Sequence, residues 1–209
     1  MQITIREPGS AITHFIGMVL AVFAAVPLLV KAGVTSGGRS FAALAIFMAS
    51  MILLYGASAM YHSVNLAGKR LRIFQKLDHM MIFVLIAGSY TPVCLVVLGG
   101  DVGYRLLALV WGIALAGMVI KACWITCPKW FSSVIYIAMG WVCVLVFGRL
   151  FDTLPTAAFL WLLAGGVIYA LKLPIFNAKH KAFGSHEVFH LFVMGGSVCH
   201  FIFMYLYVA

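Results

Sequence analysis

Charge is scarce in this chain, and acid is scarcest: five Asp and Glu stand against 14 Lys and Arg in 209 residues. Charged residues make up 9% and hydrophobic residues 65%, whereas a soluble domain is about 25% charged and about 45–50% apolar. So few charges exclude an ordinary water-soluble globule. Cysteine pairing is missing as well. Cys94, Cys123, Cys127, Cys143 and Cys199 form no CxxC and scatter through apolar segments, and an odd count in such places excludes a disulfide framework. Cys123 and Cys127 share a helical face, where small interface residues are the simplest reading. A cleavable leader is not visible either. Gln2 to Ser10 carries Arg6 and Glu7, with no small-residue cleavage site after a short apolar core, so the first span is expected to be retained. The formal net charge of +9 comes from Lys and Arg placed singly or in short clusters between apolar runs. There is no basic domain, which excludes a nucleic-acid partner and points to anionic lipid headgroups.

What is present is apolar sequence in runs long enough to cross a bilayer, which takes about 20 residues in a helix. Seven such runs are predicted, over 11–30, 41–61, 79–98, 105–124, 132–149, 156–173 and 187–208. The connections are short: Gly33–Ser40, Asn65–Lys76, Gly99–Gly103 and Asn177–Gly184. The fold class is therefore an all-α integral membrane bundle of seven helices, forming one domain over residues 1–209. Basic residues in short loops set orientation. Arg6, Lys69, Arg70, Arg72, Lys76, Lys121, Lys129, Lys172, Lys179 and Lys181 fall on one side, and Lys31, Arg39, Arg105 and Arg149 on the other. That bias predicts a cytoplasmic N-terminus and an external C-terminus.

Small residues recur within the runs: Gly112 and Gly117, Gly165 and Gly166, and Gly195, Gly196 and Ser197. They allow close helix approach where no hydrophobic effect acts between helices. Pro27, Pro92 and Pro174 should kink or end their helices. The tryptophans Trp111, Trp124, Trp130, Trp141 and Trp161 mostly suit interfacial anchoring.

Ionisable groups inside membrane helices are costly and usually face the bundle interior with a partner. Asp101 and Asp152 fall in external loops, but Asp78 opens the third helix and Glu187 the seventh. His62 ends the second, with Ser58 one turn before it. His186 and His190 stand one turn apart at the start of the seventh, so both rings project the same way. The topology puts His62, Asp78, His186 and His190 at one membrane depth on the cytoplasmic side. Three imidazoles leave one position open on a tetrahedral Zn²⁺, the arrangement of a catalytic site. Asp78 is then either the fourth ligand or the general base for a bound water, which zinc brings to a pKa of about 7. Ser58 would orient that water or a substrate carbonyl. His14, His79, His180 and His200 are expected to serve packing or hydrogen bonding. His186 to His190 also reads HExxH, the metalloprotease signature. A protease would need a further acidic ligand on a later helix, and none follows, so Glu187 is placed at the cytoplasmic interface.

These segments resemble the bacterial haemolysin III family, within the wider progestin and adipoQ receptor group. The resemblance rests on Glu7-Pro-Gly-Ser-Ala-Ile-Thr-His-Phe-Ile-Gly17, on Ser50 to His62, and on Leu77-Asp-His79 followed by Ile86-Ala-Gly-Ser-Tyr-Thr-Pro92. Ala138-Met-Gly-Trp141 and Ser185 to Phe201 complete it, so it covers essentially the whole chain in order. It implies a seven-helix bundle in the bacterial cytoplasmic membrane, zinc held by His62, His186 and His190, and Ser58 and Asp78 beside it. One departure is Pro8-Gly9 in place of helix-forming residues after Glu7, which leaves the start of the first helix open. The wider group includes adiponectin receptors, and the similar alkaline ceramidases are zinc amidases acting on lipids. Three functions follow: a zinc-dependent lipid amidase or hydrolase, a membrane-homeostasis or receptor-like protein with structural zinc, and a haemolytic pore-former. The third is weakest, because the polar groups cluster at one end and line no path. The expected partners are membrane lipids, including a lipid substrate.

Overall fold

The computed structural model describes residues 5–177 and 185–209. His180, Lys179 and Lys181, assigned above to a connecting loop, lie outside the described residues. Those residues form helices and no strand. They are α1 (Pro8–Thr35), α2 (Gly37–Ser63), α3 (Gly68–Pro92), α4 (Gly100–Cys123), α5 (Lys129–Gly140), α6 (Phe147–Thr153), α7 (Thr156–Asn177) and α8 (Ser185–Tyr207). A six-residue π-helical segment, Val93–Leu98, extends α3, and a 3₁₀ segment, Val142–Val146, joins α5 to α6.

Six of these rods are long and apolar enough to cross a bilayer, with α5 and α6 acting as one broken span over Trp130–Thr153. A seventh, Thr156–Leu171, is apolar but shorter. The chain is a multi-span membrane protein whose outward faces suit lipid: Phe23, Val34 and Leu145 stand 70%, 82% and 75% exposed. The predicted seven runs map onto these rods in order.

Two boundaries differ from expectation for local reasons. Residues 68–76, assigned to a loop, already belong to α3. Lys, Arg, Gln and Leu are good helix formers, so α3 continues beyond its apolar stretch as a basic turn. The fifth run, predicted as one helix, breaks after Gly140 into 3₁₀ geometry. Pro27 sits inside α1 without ending it, whereas the α-geometry of α3 gives way at Pro92. Gly99 (φ 56°) and Gly100 (φ 51°) then reverse the chain in left-handed conformations open to glycine.

Packing follows chain order, α1 on α2, α2 on α3 and α3 on α4, and α8 closes the bundle against α7 and α1. Phe47, Met48, Leu54, Phe203 and Met204 fill the larger core, and Phe83, Val110, Ala114 and Met139 a second one around α3 and α4. Gly117 permits the second: a Cβ there would lie 2.3 Å from the Phe83 ring. Gly165 and Gly196 likewise face His200 and Tyr169, while Gly112 and Gly166 meet nothing within 4 Å. The small-residue rule therefore picks out true contacts at some glycines only.

The α1–α2–α8 corner matters most for the site. Ser10, His14, Gly17, Ala21 and Leu28 are buried along one face of α1, a stripe at helical spacing. Hydroxyls bind this corner further in, where Tyr55 donates to Ser197 at 2.7 Å and Tyr169 meets the same Oγ at 2.7 Å.

Candidate metal centre

The end of α2 and the start of α8 meet at one end of the bundle. His62 lies in the last turn of α2, and His186 and His190 face it from the first two turns of α8. One ring nitrogen from each of these three lies within 4.8 Å of the others. The Nε2 atoms of His62 and His186 are 3.4 Å apart. Two nitrogens bonded at about 2.05 Å to one tetrahedral metal stand about 3.4 Å apart, so this pair already has the spacing of two ligands. His62 and His190 are each 2% exposed, and His186 is partly exposed.

The far sides of the rings are also held. Nδ1 of His62 lies 2.6 Å from Oε2 of Glu7. With Nδ1 donating to the carboxylate, the Nε2 lone pair faces His186. Nδ1 of His190 lies 3.2 Å from the Thr13 hydroxyl, which itself donates to the carbonyls of Gly9 and Ser10, each at 3.0 Å. That hydroxyl's proton is committed, so it accepts from His190 Nδ1–H and leaves Nε2 of His190 as the free acceptor. Fixing Nδ1 by a second group is the usual way in which a metal-binding histidine is oriented. A centre of three imidazole nitrogens, two of them on buried rings, suits Zn²⁺ among common divalent ions.

Asp78 and Ser58 belong to the surroundings. Asp78 is not among the grouped donors, and it accepts a hydrogen bond from the Ser58 hydroxyl. Both are buried, Ser58 one turn below His62 and Asp78 on the neighbouring α3. Glu187, the acid of HExxH, lies against α1, where a Cβ on Gly9 would come 2.7 Å from its Cγ.

Three residues beside the site were not singled out for it from the sequence. In the sequence, Glu7 and Thr13 stand out only as members of the Glu7–Gly17 segment that carries the family resemblance, with no role at the site. His14, expected to pack, stacks on His190 with ring centroids 3.7 Å apart and planes 6° from parallel. A signal existed, since Ser10, His14 and Gly17 mark one face of α1. Nothing in the sequence said that this face meets α8. The open question at Pro8 is answered by α1 starting there, with proline in its first turn. Proline has no N–H to leave unsatisfied at that position. Glu7, the residue before it, has a non-helical backbone (φ −136°, ψ 79°) and makes no side-chain cap. Its carboxylate is free to reach His62 instead.

Glu7 lies just outside the first span. Burial pushes its carboxyl pKa up, but the charge and hydrogen bond of His62, together with Arg6, outweigh burial and hold it below its ordinary value. Arg6 makes an ion pair with Glu7 at 3.2 Å and lies over the Tyr61 ring at 4.2 Å. Residues 6 and 7 thus form a polar strap across the end of α2.

Comparison with known proteins agrees with this architecture. Residues 2–201 match the family described as haemolysin-III related. Hemolysin-3 of Bacillus cereus is 35% identical over 207 residues, covering 99% of this chain and 94% of that protein. The Hemolysin-3 homolog of Bacillus subtilis (strain 168) is 36% identical over 205 residues, covering 98% and 95%. The human monocyte to macrophage differentiation factor is 26% identical over 168 residues, covering 78% of this chain and 69% of that protein.

Proposed function

Because the chain belongs to the haemolysin III family, we propose that it is a zinc-binding protein of the bacterial cytoplasmic membrane that serves lipid homeostasis by hydrolysing a lipid amide or ester. The observation that carries this reading is the convergence of His62, His186 and His190, two of them with Nδ1 already occupied by Glu7 and Thr13. His62 Nε2, His186 Nε2 and His190 Nε2 would hold the ion. When bound, zinc supplies a Lewis acid that makes water nucleophilic near neutral pH.

The chain's own residues supply the rest. Asp78 is the general base, receiving the proton of the attacking water on its carboxylate. Ser58, whose hydroxyl donates to Asp78, holds that carboxylate in place and leaves its own oxygen to accept from the attacking water. The apolar flanks of α1 and α8 receive the acyl chain from the bilayer, so the scissile bond meets the site at headgroup depth. The excess of Lys and Arg around Arg6, Lys69, Arg70, Arg72 and Lys76 supports placing this end in the cytoplasm, against anionic lipid.

A second reading keeps zinc and removes the chemistry. Glu7 and the α8 histidines all converge on the end of α2, so a metal there would clasp the N-terminal strap, α2 and α8 as a structural pin. Metal analysis of the purified protein beside a His186→Ala/His190→Ala variant tests zinc itself. About one zinc per chain, lost in the variant, is expected, and equal substoichiometric zinc in both overturns the proposal.

A further inference from the structure

A second polar cluster lies at the same end of the bundle, between α4 and α5 and apart from the histidines. Lys121, in the last turn of α4, is only 2% exposed. A buried ammonium needs a partner, and among the described residues no carboxylate pairs with it. Its Nζ lies 3.1 Å from Sγ of Cys127 and also donates to the Ser132 hydroxyl. Cys127 Sγ and Ser132 Oγ are 3.3 Å apart, closing a triangle of ammonium, sulfur and hydroxyl. The backbone assembles it: α4 ends at Cys123, the chain turns through Trp124–Cys127, and Pro128 precedes α5, where the N–H of Ser132 donates back to its carbonyl. Lys76 of α3 binds the carbonyl of Ala122, so that end of α4 is already capped and Lys121 is not required there.

We propose that Cys127 is a modification site for hydroperoxides, its sulfur held as the anion that balances the buried Lys121 ammonium. Thiolates, not thiols, are the nucleophiles, and a neighbouring lysine is one of the settings that produce them. The sulfur lies in the turn outside the spans. Burial pushes its pKa up, but hydrogen bonds from Ser132 and Lys121 and the Lys121 charge outweigh this and hold it below the ordinary thiol value. The sulfur attacks one oxygen of the peroxide, forming an S–O bond as the O–O bond breaks. The departing hydroxide, or the alkoxide of an organic hydroperoxide, takes a proton from Lys121 and leaves as water or alcohol. Sulfur is oxidised by two electrons to the sulfenic acid, the peroxide is reduced, and Lys121 is left neutral. Oxidation thus dissolves the ion pair that fastens the α4–α5 turn.

Exposure and charge make opposite forecasts, which gives the test. Cys123 is exposed on the same helix end, whereas Cys127 is 7% exposed. The full chain in lipid nanodiscs is treated briefly at neutral pH with dilute hydrogen peroxide plus dimedone, or with iodoacetamide, and peptides are quantified by mass spectrometry. Cys127 is expected to react about tenfold faster than Cys123. Lys121→Met should slow it about tenfold, and Lys121→Arg should restore it. A rate order that follows exposure, or a Cys127 rate unchanged in Lys121→Met, overturns the proposal. Should Lys121→Met fail to fold, the Cys127 to Cys123 ratio in the unaltered chain decides it.

Discussion

The carboxylate of Glu7 stands 2.6 Å from Nδ1 of His62, and the backbone N–H of the same glutamate donates to the carbonyl of the same histidine at 3.0 Å. This two-point clasp joins the residue before α1 to the last turn of α2. One bond fixes the chain and the other fixes the ring, so the tautomer of His62 is decided by a residue 55 positions away.

Loss of that carboxylate should therefore be felt at the metal before it is felt in the fold. Glu7→Gln keeps the shape and can still bond Nδ1, but it removes the charge. Zinc affinity should fall by about 10–100-fold, the usual effect of losing an outer partner of a ligating histidine. Competition with a chromophoric chelator measures it. Unchanged affinity would show that Glu7 is a strap residue only.

The same contact makes a pH forecast whose sign follows from the depressed Glu7 carboxyl. Its folded-state pKa lies below the unfolded value. The stabilisation is therefore present above the unfolded pKa and is lost as pH falls through the folded one. The zinc-free protein should lose thermal stability across the acid range below the ordinary carboxylate value, and Glu7→Gln should lose less there. Identical melting profiles for the two would contradict the clasp. The effect will be modest, because the Glu7 side chain is 43% exposed.

The histidine cluster was legible because helical spacing and loop charge are both local signals. His186 and His190 one turn apart, and His62 at a helix end, could be put at one depth without knowing any contact. The partners on α1 were not legible. Whether the Ser10–His14–Gly17 face meets α2, α8 or lipid is decided by packing, and the polarity of Thr13 is too slight to mark it. Helix ends differ from the hydropathy boundaries for a related reason. Basic residues 69–76 look like a loop in hydropathy, yet their backbone has every preference for helix. The resemblance carried the ligand set further than spacing alone could, but it gave no hint of the Lys121–Cys127 pair.

Asp78 and Ser58 separate chemistry from clasp. Both are buried and bonded to each other, and neither is among the grouped nitrogen donors. Asp78→Asn should keep zinc at about one per chain while hydrolysis of amide or ester lipids falls by about 10²–10⁴-fold, the range for losing a general base. Ser58→Ala should retain zinc too, with a smaller loss. Full turnover in Asp78→Asn would remove Asp78 as the base, whereas a zinc-loaded unaltered chain with no turnover on either lipid class would leave the structural-pin reading standing.

Packing beneath the site can be tested without reference to metal. A Cβ on Gly117 would lie 2.3 Å from Cε1 of Phe83 and 2.4 Å from its Cζ, and Phe83 is itself 1% exposed. The ring has nowhere to retreat, since Ala87, Val110 and Ala114 fill the same core. Gly117→Ala therefore overpacks α3 against α4, at a cost of about 1–3 kcal/mol. Gly112, five residues earlier on α4, has nothing within 4 Å of its Cβ position. Gly112→Ala should be neutral or slightly stabilising, because alanine is the better helix former. Thermal melts of both variants in one detergent should therefore move apart, with only Gly117→Ala lowered. Equal behaviour would mean that α3 and α4 do not pack at Gly117 as closely as this.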